Sequence, residues 1–314
     1  MSDEFDKELL DDAARAGWLY YVGGRTQDEI AKSIGVSRQR AQRLVSKAVK
    51  DGLIRVSIEH PIAELMDLAS RLKDHYGLER VRVAPDLGTD GSLRSVAPFA
   101  ARNLEGILAS PTPTTIGVGT GRALRNAIEQ LTRTPSPQHT LVSLIGNIAL
   151  DGSGNVYEVL NRLAEAVNAP HYPLPAPVFA KDQAESEIYK SLQAVQQYYA
   201  VLDTMTVAFI GIGQMGPTAP MVVDGFLPPK DLERLLKQGV AGEICGRPYN
   251  HDGHYLETDF TPRMTSRPVR ARDDLLVSAI ASGSAKLEAI RAAAKGQLIN
   301  ALITDEATAR ALLD

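Results

Sequence analysis

The sequence predicts an α/β protein in two parts, an N-terminal winged helix-turn-helix followed by a Rossmann-like parallel-sheet domain. Two observations lead to this fold class. Residues 26–52 follow a helix–turn–helix pattern with clear start and stop signals, and from about residue 78 the pattern changes to buried strands alternating with helices. We expect the boundary near His60–Pro61, with one domain over 1–60 and the other over 61–314.

The helix-turn-helix is indicated by capping residues at regular places. Thr26 is a good N-cap, and Glu29 three residues later completes a capping box. Gly35 provides the turn, Ser37 caps the second helix, and Asp51-Gly52 ends it. The spacing of Ala41, Leu44, Val45 and Ala48 predicts the buried face of that second helix.

The segments on either side complete a small domain. Residues 6–22 carry apolar side chains at helical spacing, which predicts a third helix whose inner face holds Leu9, Leu10, Ala13, Ala14, Trp18 and Tyr21. Leu53–Ile58 alternates in part between apolar and polar residues, as a short strand does. A strand in this position predicts a wing.

The exposed face of the second helix is rich in cations and amides. Residues 15–60 contain nine Lys and Arg against four Asp and Glu, inside a chain of net charge −4. A basic module on an acidic chain indicates local phosphate contact, so double-stranded operator DNA is the expected partner. A helical hairpin that merely packs on the rest of the chain is the alternative. The expected DNA-binding residues are Thr26, Gln27, Ser37, Arg38, Gln39, Arg40, Gln42, Arg43 and Lys47, with Arg38, Gln39 and Gln42 favoured for bases.

Composition bounds the cellular setting. A single cysteine, Cys245, excludes an intramolecular disulfide framework and is typical of a reducing compartment. The first residues are acidic and lack an apolar signal core, and no apolar run approaches the length of a membrane span. We therefore expect a cytoplasmic protein without membrane contact, metal or cofactor.

The second domain begins with an amphipathic helix over residues 62–72, which packs on that domain or joins subunits. Predicted strands then lie at 81–84, 115–119, 140–145, 207–211, 275–280 and 301–304. Predicted helices lie at 122–131, 155–167, 184–202, 285–295 and 306–313. Near-continuous apolar strands alternating with helices predict a parallel sheet covered on both faces, with ligands at the carboxyl ends of its strands.

Glycines and polar residues gather at those predicted strand ends. Each glycine loop alone is most simply a tight turn, but several loops facing one crevice predict a site for a small, polyhydroxylated and phosphorylated ligand. Glycines let the backbone approach an anion, and Lys286 would add a charge. The residues at these ends are Gly119, Thr120, Gly121, Arg122, Gly146, Asn147, Gly211, Gly213, Gln214 and Lys286.

Two other patterns are weaker. Gly211–Gly216 matches the G-x-G-x-x-G of dinucleotide folds, but Pro217 and Pro220 follow, so no helix opens on the third glycine as nucleotide binding requires. His251–His254 lies in a loop-like stretch without a second group of ligands, and it is better explained as a polar turn than as a metal site. Cys245 has no catalytic neighbour in sequence and is expected to be buried.

Several segments together resemble the SorC family of bacterial sugar-responsive transcriptional regulators. They are YYVGGRTQDEIAKSIGVSRQRAQRLVSKAVKDGLIRVSI, GVGTGRAL, VAFIGIG, AGEICGRPYNHDG and IASGSAKLEAIRAAAKGQLINALITDEATA, and the resemblance runs from about residue 10 to 314. It implies a non-catalytic effector domain related to sugar-phosphate isomerases and deaminases. It also implies a homo-oligomer, either a dimer or a tetramer, on the operator.

The resemblance also implies roles for individual residues. The loop Gly119–Arg122 would bind a sugar or sugar phosphate, Glu243 and Asp252 would face its hydroxyls, and Lys286 its phosphate. Many members have Ala-Gly-Gly where this chain has Ala281-Ser282-Gly283, a departure that leaves a non-phosphorylated polyol open.

The alternative from another class is an enzyme, a sugar-phosphate isomerase or deaminase with a fused DNA-binding module. The fold permits it. Proton transfer would need a carboxylate or histidine over a sugar carbon. The candidates near strand ends are Asp151, Glu243, Asp305 and Glu306, none of them in a catalytic pattern.

Overall fold

The computed structural model describes residues 2–54, 61–88, 92–148, 159–223, 227 and 229–314. The chain forms two compact units, Met1–Ala63 and Glu64–Asp314. No helix in the described part of the chain is long and apolar enough to cross a membrane.

The first unit is a bundle of three helices, α1 Ser2–Tyr21, α2 Gln27–Ile34 and α3 Arg38–Lys50. Its core joins Ala13 and Ala16 of α1 with small and branched residues of the other two helices, Ile30, Ala31, Ala41, Leu44, Val45 and Ala48. The predicted buried face of α3 is therefore confirmed. The predicted inner face of α1 is wrong at Leu10, Trp18 and Tyr21, which are 37%, 56% and 43% exposed.

The predicted wing falls mostly outside the described residues. Leu53 and Ile54 are described and do not form a strand, and residues 55–60 lie outside the description. Ile54 instead packs against the three-helix core, with its Cδ1 2.2 Å from where a Cβ on Gly17 would lie. Gly17 thus lets α1 approach the segment that follows α3.

The second unit contains a seven-stranded, fully parallel sheet and a small three-stranded antiparallel sheet. The strands are β1 Arg80–Ala84, β2 Thr115–Val118, β3 Thr140–Ile148, β4 His171–Pro177, β5 Met205–Gly211, β6 Gly213–Gln214, β7 Val240–Ile244, β8 Arg247–Asn250, β9 Leu276–Ile280 and β10 Ala301–Asp305. The helices are α4 Pro61–Tyr76, α5 Ser92–Leu108, α6 Arg122–Glu129, α7 Val159–Val167, α8 Gln183–Ser191, α9 Gln193–Leu202, α10 Pro220–Val223, α11 Pro229–Lys237, α12 Leu287–Lys295 and α13 Glu306–Leu313. Two 3₁₀ turns lie at Thr261–Arg263 and Ser284–Lys286.

Helices cover both faces of the large sheet. Alternate residues of a strand point to opposite faces, so neighbours in one strand pack against different helices. Leu302 joins one hydrophobic cluster, with α4, α9, α12 and α13. Its neighbour Ile303 joins the other, with α5, α6 and α7. The predicted α/β architecture with a doubly covered parallel sheet is confirmed.

The strand order is β1-β10-β9-β5-β2-β3-β4. From β2 the chain moves outward through β3 to the edge strand β4, then returns to add β5, β9 and β10 on the other side of β2. The direction of winding therefore reverses between β2 and β5. In open parallel sheets such a reversal leaves a crevice at the carboxyl ends of the two strands.

Several details differ from the sequence prediction. The helix expected over 184–202 is broken at Leu192, whose φ of −61° and ψ of 138° are extended rather than helical. Strand β4, the small antiparallel sheet and helices α5, α10 and α11 were not predicted. Gly146 and Asn147 do not end their strand, because β3 continues to Ile148.

Candidate functional site

Local capping holds the helix-turn-helix in shape. The Thr26 hydroxyl accepts the Glu29 N–H at 3.3 Å, and Glu29 Oε2 accepts the Thr26 N–H at 2.8 Å, so the predicted capping box forms. Gly35 adopts φ 69° at the turn, and Ser37 Oγ accepts the Arg40 N–H at 3.2 Å. Thr26 and Ser37, both expected at the DNA, are thus already occupied as helix caps.

The opposite side of α3 is an exposed polar surface. Arg38, Gln39, Arg40, Gln42 and Arg43 are all exposed, and Gln27 and Lys47 are half-buried. A groove of about 520 Å³ runs along this side, lined by Gln39, Gln42, Arg43, Ser46, Lys47, Lys50 and Asp51. Long cationic and amide side chains along one helix face are what major-groove recognition uses.

Two of these cations have carboxylate partners within the unit. Lys47 Nζ lies 2.6 Å from Asp51 Oδ2, and Arg38 Nε lies 3.6 Å from Asp28 Oδ1. The sequence analysis assigned both cations to DNA and did not consider these pairs, although a lysine and an aspartate four residues apart on a helix are neighbours.

The second site lies where the sheet reverses direction, between the ends of β2 and β5. The Gly119 N–H donates to the Phe209 carbonyl at 2.8 Å, and a Cβ on Gly211 would lie 3.3 Å from the Thr120 carbonyl. The two loops therefore touch through their backbones, as their glycines predict. Gly121, with φ 117°, then opens α6 without a side-chain cap.

The side-chain hydroxyl of Thr120, in the loop after β2, makes no hydrogen bond with the described residues. Its oxygen, Oγ1, is buried. A buried hydroxyl without a partner costs free energy, and a bound ligand with a hydroxyl or an anionic oxygen would satisfy it.

Glu243 and Lys286 form the charged part of this crevice. Gly213 of β6 pairs with Glu243 of β7, so close that a Cβ on Gly213 would lie 1.9 Å from Glu243 Oε1. Burial raises the pKa of Glu243, opposed by the Gly246 N–H, which donates to its Oε2 at 2.8 Å, and by the charge of Lys286. Burial lowers the pKa of Lys286, with Glu243 acting against that shift and the nearby Arg122 acting with it.

Neighbouring elements hold the loop before Lys286. The Gly283 N–H donates to Thr308 Oγ1 at 2.8 Å, and Thr308 lies in the first turn of α13, which Asp305 caps. Sequence reasoning missed Thr308 in this position. It also missed Cys245, whose Sγ lies 3.4 Å from a Cβ placed on Gly119 and so forms part of the crevice wall.

The structure does not bring all the expected residues to this crevice. Asp252 pairs with Lys295 at 2.7 Å. Lys295 lies at the far end of α12 from Lys286, and the nine residues of this helix put about 13 Å between its two ends. Gly146 is needed for packing, because a Cβ there would lie 2.6 Å from Pro177 C. The side chain of Asn147 lies outside the description, and Gln214 donates to Thr218 Oγ1 at 3.3 Å.

The other sequence patterns have structural explanations. Asn250 Oδ1 accepts the N–H groups of Asp252 and His254, which makes that segment a hydrogen-bonded turn. Within the described residues, no three His, Cys, Asp or Glu side chains are grouped so as to hold a metal ion.

Comparison with known proteins gives a family match over each of the two units. Residues 60–314 match the Sugar-bind family, a sugar-binding domain, and residues 16–60 match the MarR family. The chain is 34% identical over 302 residues to the erythritol catabolism regulatory protein EryD of Brucella abortus, covering 96% of each chain. It is 28% identical over 307 residues to the transcriptional regulator LsrR of Escherichia coli K12, covering 96% of this chain and 93% of LsrR.

The fold also matches a solved structure. The full-length sorbitol operon regulator SorC from Klebsiella pneumoniae superposes with a TM-score of 0.73, covering 97% of this chain and 99% of that one at 24% identity. The chain belongs to the SorC family and is a DNA-binding transcriptional regulator whose sugar-binding domain controls its attachment to DNA.

Proposed function

We propose that the crevice between β2 and β5 binds a small polyol, sugar or sugar phosphate, and that this effector controls a homo-oligomer on operator DNA in the cytoplasm. The observation that carries the proposal is the unpartnered Thr120 hydroxyl, in the same loop as Arg122, whose charge acts on Lys286 as that of Glu243 does. Hydroxyl groups of a ligand would satisfy Thr120 and Glu243, and Lys286 with Arg122 would attract an anionic group. EryD, named for erythritol catabolism, makes four-carbon polyols and their phosphates the first ligands to test.

A thermal-shift series tests the effector. Erythritol, sorbitol and their phosphates are added to the purified protein, and a ligand that binds the folded state alone raises the Tm by mass action. We expect at least one of them to raise it. Identical melting curves across the whole set would contradict this choice of ligand class.

Substitution at Lys286 distinguishes a phosphorylated effector from a neutral one. Lys286→Met should abolish the shift produced by a phosphate ester but leave the shift produced by a neutral polyol largely intact. Lys295→Met is a matched control, because Lys295 lies at the far end of α12, the helix that follows Lys286, and pairs outside the crevice with Asp252. Equal losses in the two variants would contradict the assignment of Lys286 to the ligand.

On DNA, we propose that Gln39 reads bases and Arg43 contacts phosphates. Both are exposed on the groove along α3. In a gel-shift salt series, Gln39→Ala should reduce the preference for operator over random duplex. Arg43→Ala should weaken binding to both and reduce the salt slope by about one unit. The same salt slope for both variants and the unchanged protein would contradict this division.

We further propose that the crevice does not catalyse a reaction. Among the carboxylates considered for proton transfer, Asp305 accepts the Thr308 N–H as the cap of α13, and Glu306 bonds Arg310 at 2.7 Å. Asp151 lies outside the described residues. Incubation of the protein with sugar phosphates should leave them unchanged, and turnover that Glu243→Gln abolishes would restore the enzyme alternative.

A further inference from the structure

The groove along α3 contains one carboxylate among its cations. Asp51 ends the helix and lines the same groove as Arg43, Lys47 and Lys50. It lies 2.6 Å from Lys47, and the two side chains are only 29% and 35% exposed, against 61% and 69% for the Asp28–Arg38 pair. The Lys47–Asp51 pair is therefore the shorter and better shielded of the two ion pairs on this surface.

The position of Asp51 does not favour the helix. The C-terminal end of a helix carries a partial negative charge, and a carboxylate there is repelled by it. The order Lys47 then Asp51 is also the less favourable one for an i,i+4 pair. Asp51 caps the helix through its backbone N–H, which donates to the Lys47 carbonyl. Every residue except proline has such a backbone N–H. Helix stability thus gives no reason for an acidic side chain at this site.

A carboxylate in a DNA groove has a clear electrostatic consequence. Each phosphate neutralised by a protein cation releases counterions, and this release dominates binding to duplex of arbitrary sequence. While Lys47 is paired with Asp51, the carboxylate competes with a phosphate for the charge of the lysine. The paired lysine therefore contributes less binding free energy to the duplex than an unpaired lysine would.

We propose that Asp51 restrains the affinity of this protein for duplex DNA of any sequence, by holding Lys47 away from the phosphates. The proposal rests on the proposed contact between α3 and duplex. It makes Asp51 a positioning residue that acts through Lys47, and it leaves recognition of the operator to the base contacts made nearer the start of α3.

Substitution in the full-length protein tests the proposal, with a short random-sequence duplex as the probe. Asp51→Asn should tighten binding about three- to eightfold at about 0.1 M salt and steepen the salt slope by up to about 0.9 unit, the value of one further phosphate contact. Asp11→Asn is the matched control. It changes the net charge equally at an exposed position of α1 outside the groove.

A double-mutant cycle separates action through Lys47 from simple repulsion between Asp51 and DNA. In a Lys47→Gln background, Asp51→Asn should lose most of its effect. An equal gain from Asp11→Asn, or a full gain from Asp51→Asn without Lys47, would overturn the proposal.

Arg43→Ala identifies which assumption has failed. If it weakens binding to the random duplex while Asp51→Asn has no effect, the role of Asp51 is wrong and the contact by α3 stands. If Arg43→Ala has no effect either, the duplex does not lie on α3 and both proposals fail.

Discussion

At the scale of single residues, the crevice depends on side chains that lie far apart in the sequence. Glu243 comes from the small antiparallel sheet, Thr120 from the loop after β2 and Lys286 from the turn before α12. The glycines and Lys286 were predictable because they follow recognisable strands. Glu243 was assigned to the ligand only through family resemblance, since β6–β8 has no strong alternating pattern. Asp252 was also assigned to the ligand through the resemblance alone, but in the structure its carboxylate pairs with Lys295 instead.

Gly213 is the residue that leaves room for the Glu243 carboxylate. In Gly213→Ala, the new methyl group would meet Glu243 Oε1, and the flexible carboxylate end must move. We expect effector affinity to fall about tenfold or more, as the loss of a hydrogen bond to a charged group implies, while stability changes by less than about 1 kcal/mol. Calorimetric titration and urea unfolding measure the two effects.

Gly216→Ala is the control for this prediction. Its added methyl group would have no neighbour within 4 Å among the described atoms, and its backbone does not require glycine. Unchanged effector affinity in Gly213→Ala would show that the Glu243 carboxylate is not a ligand group.

Cys245 should be chemically inert in the folded protein. It is 7% exposed, and burial, with the nearby Glu243 adding to it, raises the pKa of its thiol to about 12. A rise of three units leaves about a thousandfold less thiolate at pH 8 than an ordinary cysteine has. Ellman's reagent should therefore detect almost no thiol in buffer and one per chain in urea. Rapid reaction in buffer would show that the crevice wall opens.

At the scale of elements, prediction succeeded where capping and periodicity agree. The helix expected over 306–313 is α13, with Asp305 as its cap. The sequence prediction failed where one residue overrides the pattern. At Leu192 an extended conformation divides an otherwise continuous helical stretch. Strand β4 was missed because it contains Pro173, Pro175 and Pro177. Proline argues against a central strand, but β4 is an edge strand, where a missing N–H donor is tolerated.

The capping box of α2 should be measurable as local stability. Thr26→Ala removes the acceptor of the Glu29 N–H and the hydroxyl that donates to Glu29 Oε2. We expect a loss of about 1 kcal/mol in the helix-turn-helix unit. Amide hydrogen exchange of α2 is the suitable measurement, because two compact units need not unfold together.

Ser33→Ala serves as the comparison for the capping prediction, since Ser33 is exposed on the same helix and alanine is a better helix former. Protection of the α2 amides should be unchanged or slightly greater in this variant. Equal loss of protection in Thr26→Ala and Ser33→Ala would mean that the cap does not limit the stability of α2.

At the scale of the whole molecule, one chain joins a DNA-binding unit to a sugar-binding unit. Their cooperation is a coupling free energy, and an effector changes DNA affinity only as far as it binds the free and DNA-bound arrangements differently. Because binding free energies are reciprocal, DNA must change effector affinity by the same factor. This holds whether the effector releases the protein from DNA or strengthens its attachment.

Reciprocity is therefore a direct test of the link between the two units. Operator affinity is measured by fluorescence anisotropy with and without saturating effector, and effector affinity by calorimetry with and without saturating operator. We expect the two ratios to agree, with a size of about five- to 150-fold that is typical of allosteric proteins. The Gly213→Ala variant should need a higher effector concentration to reach the same change in operator affinity, since its ligand site is weakened while α3 is intact. An effector that binds the crevice tightly but leaves operator affinity unchanged would show that the crevice does not govern DNA binding.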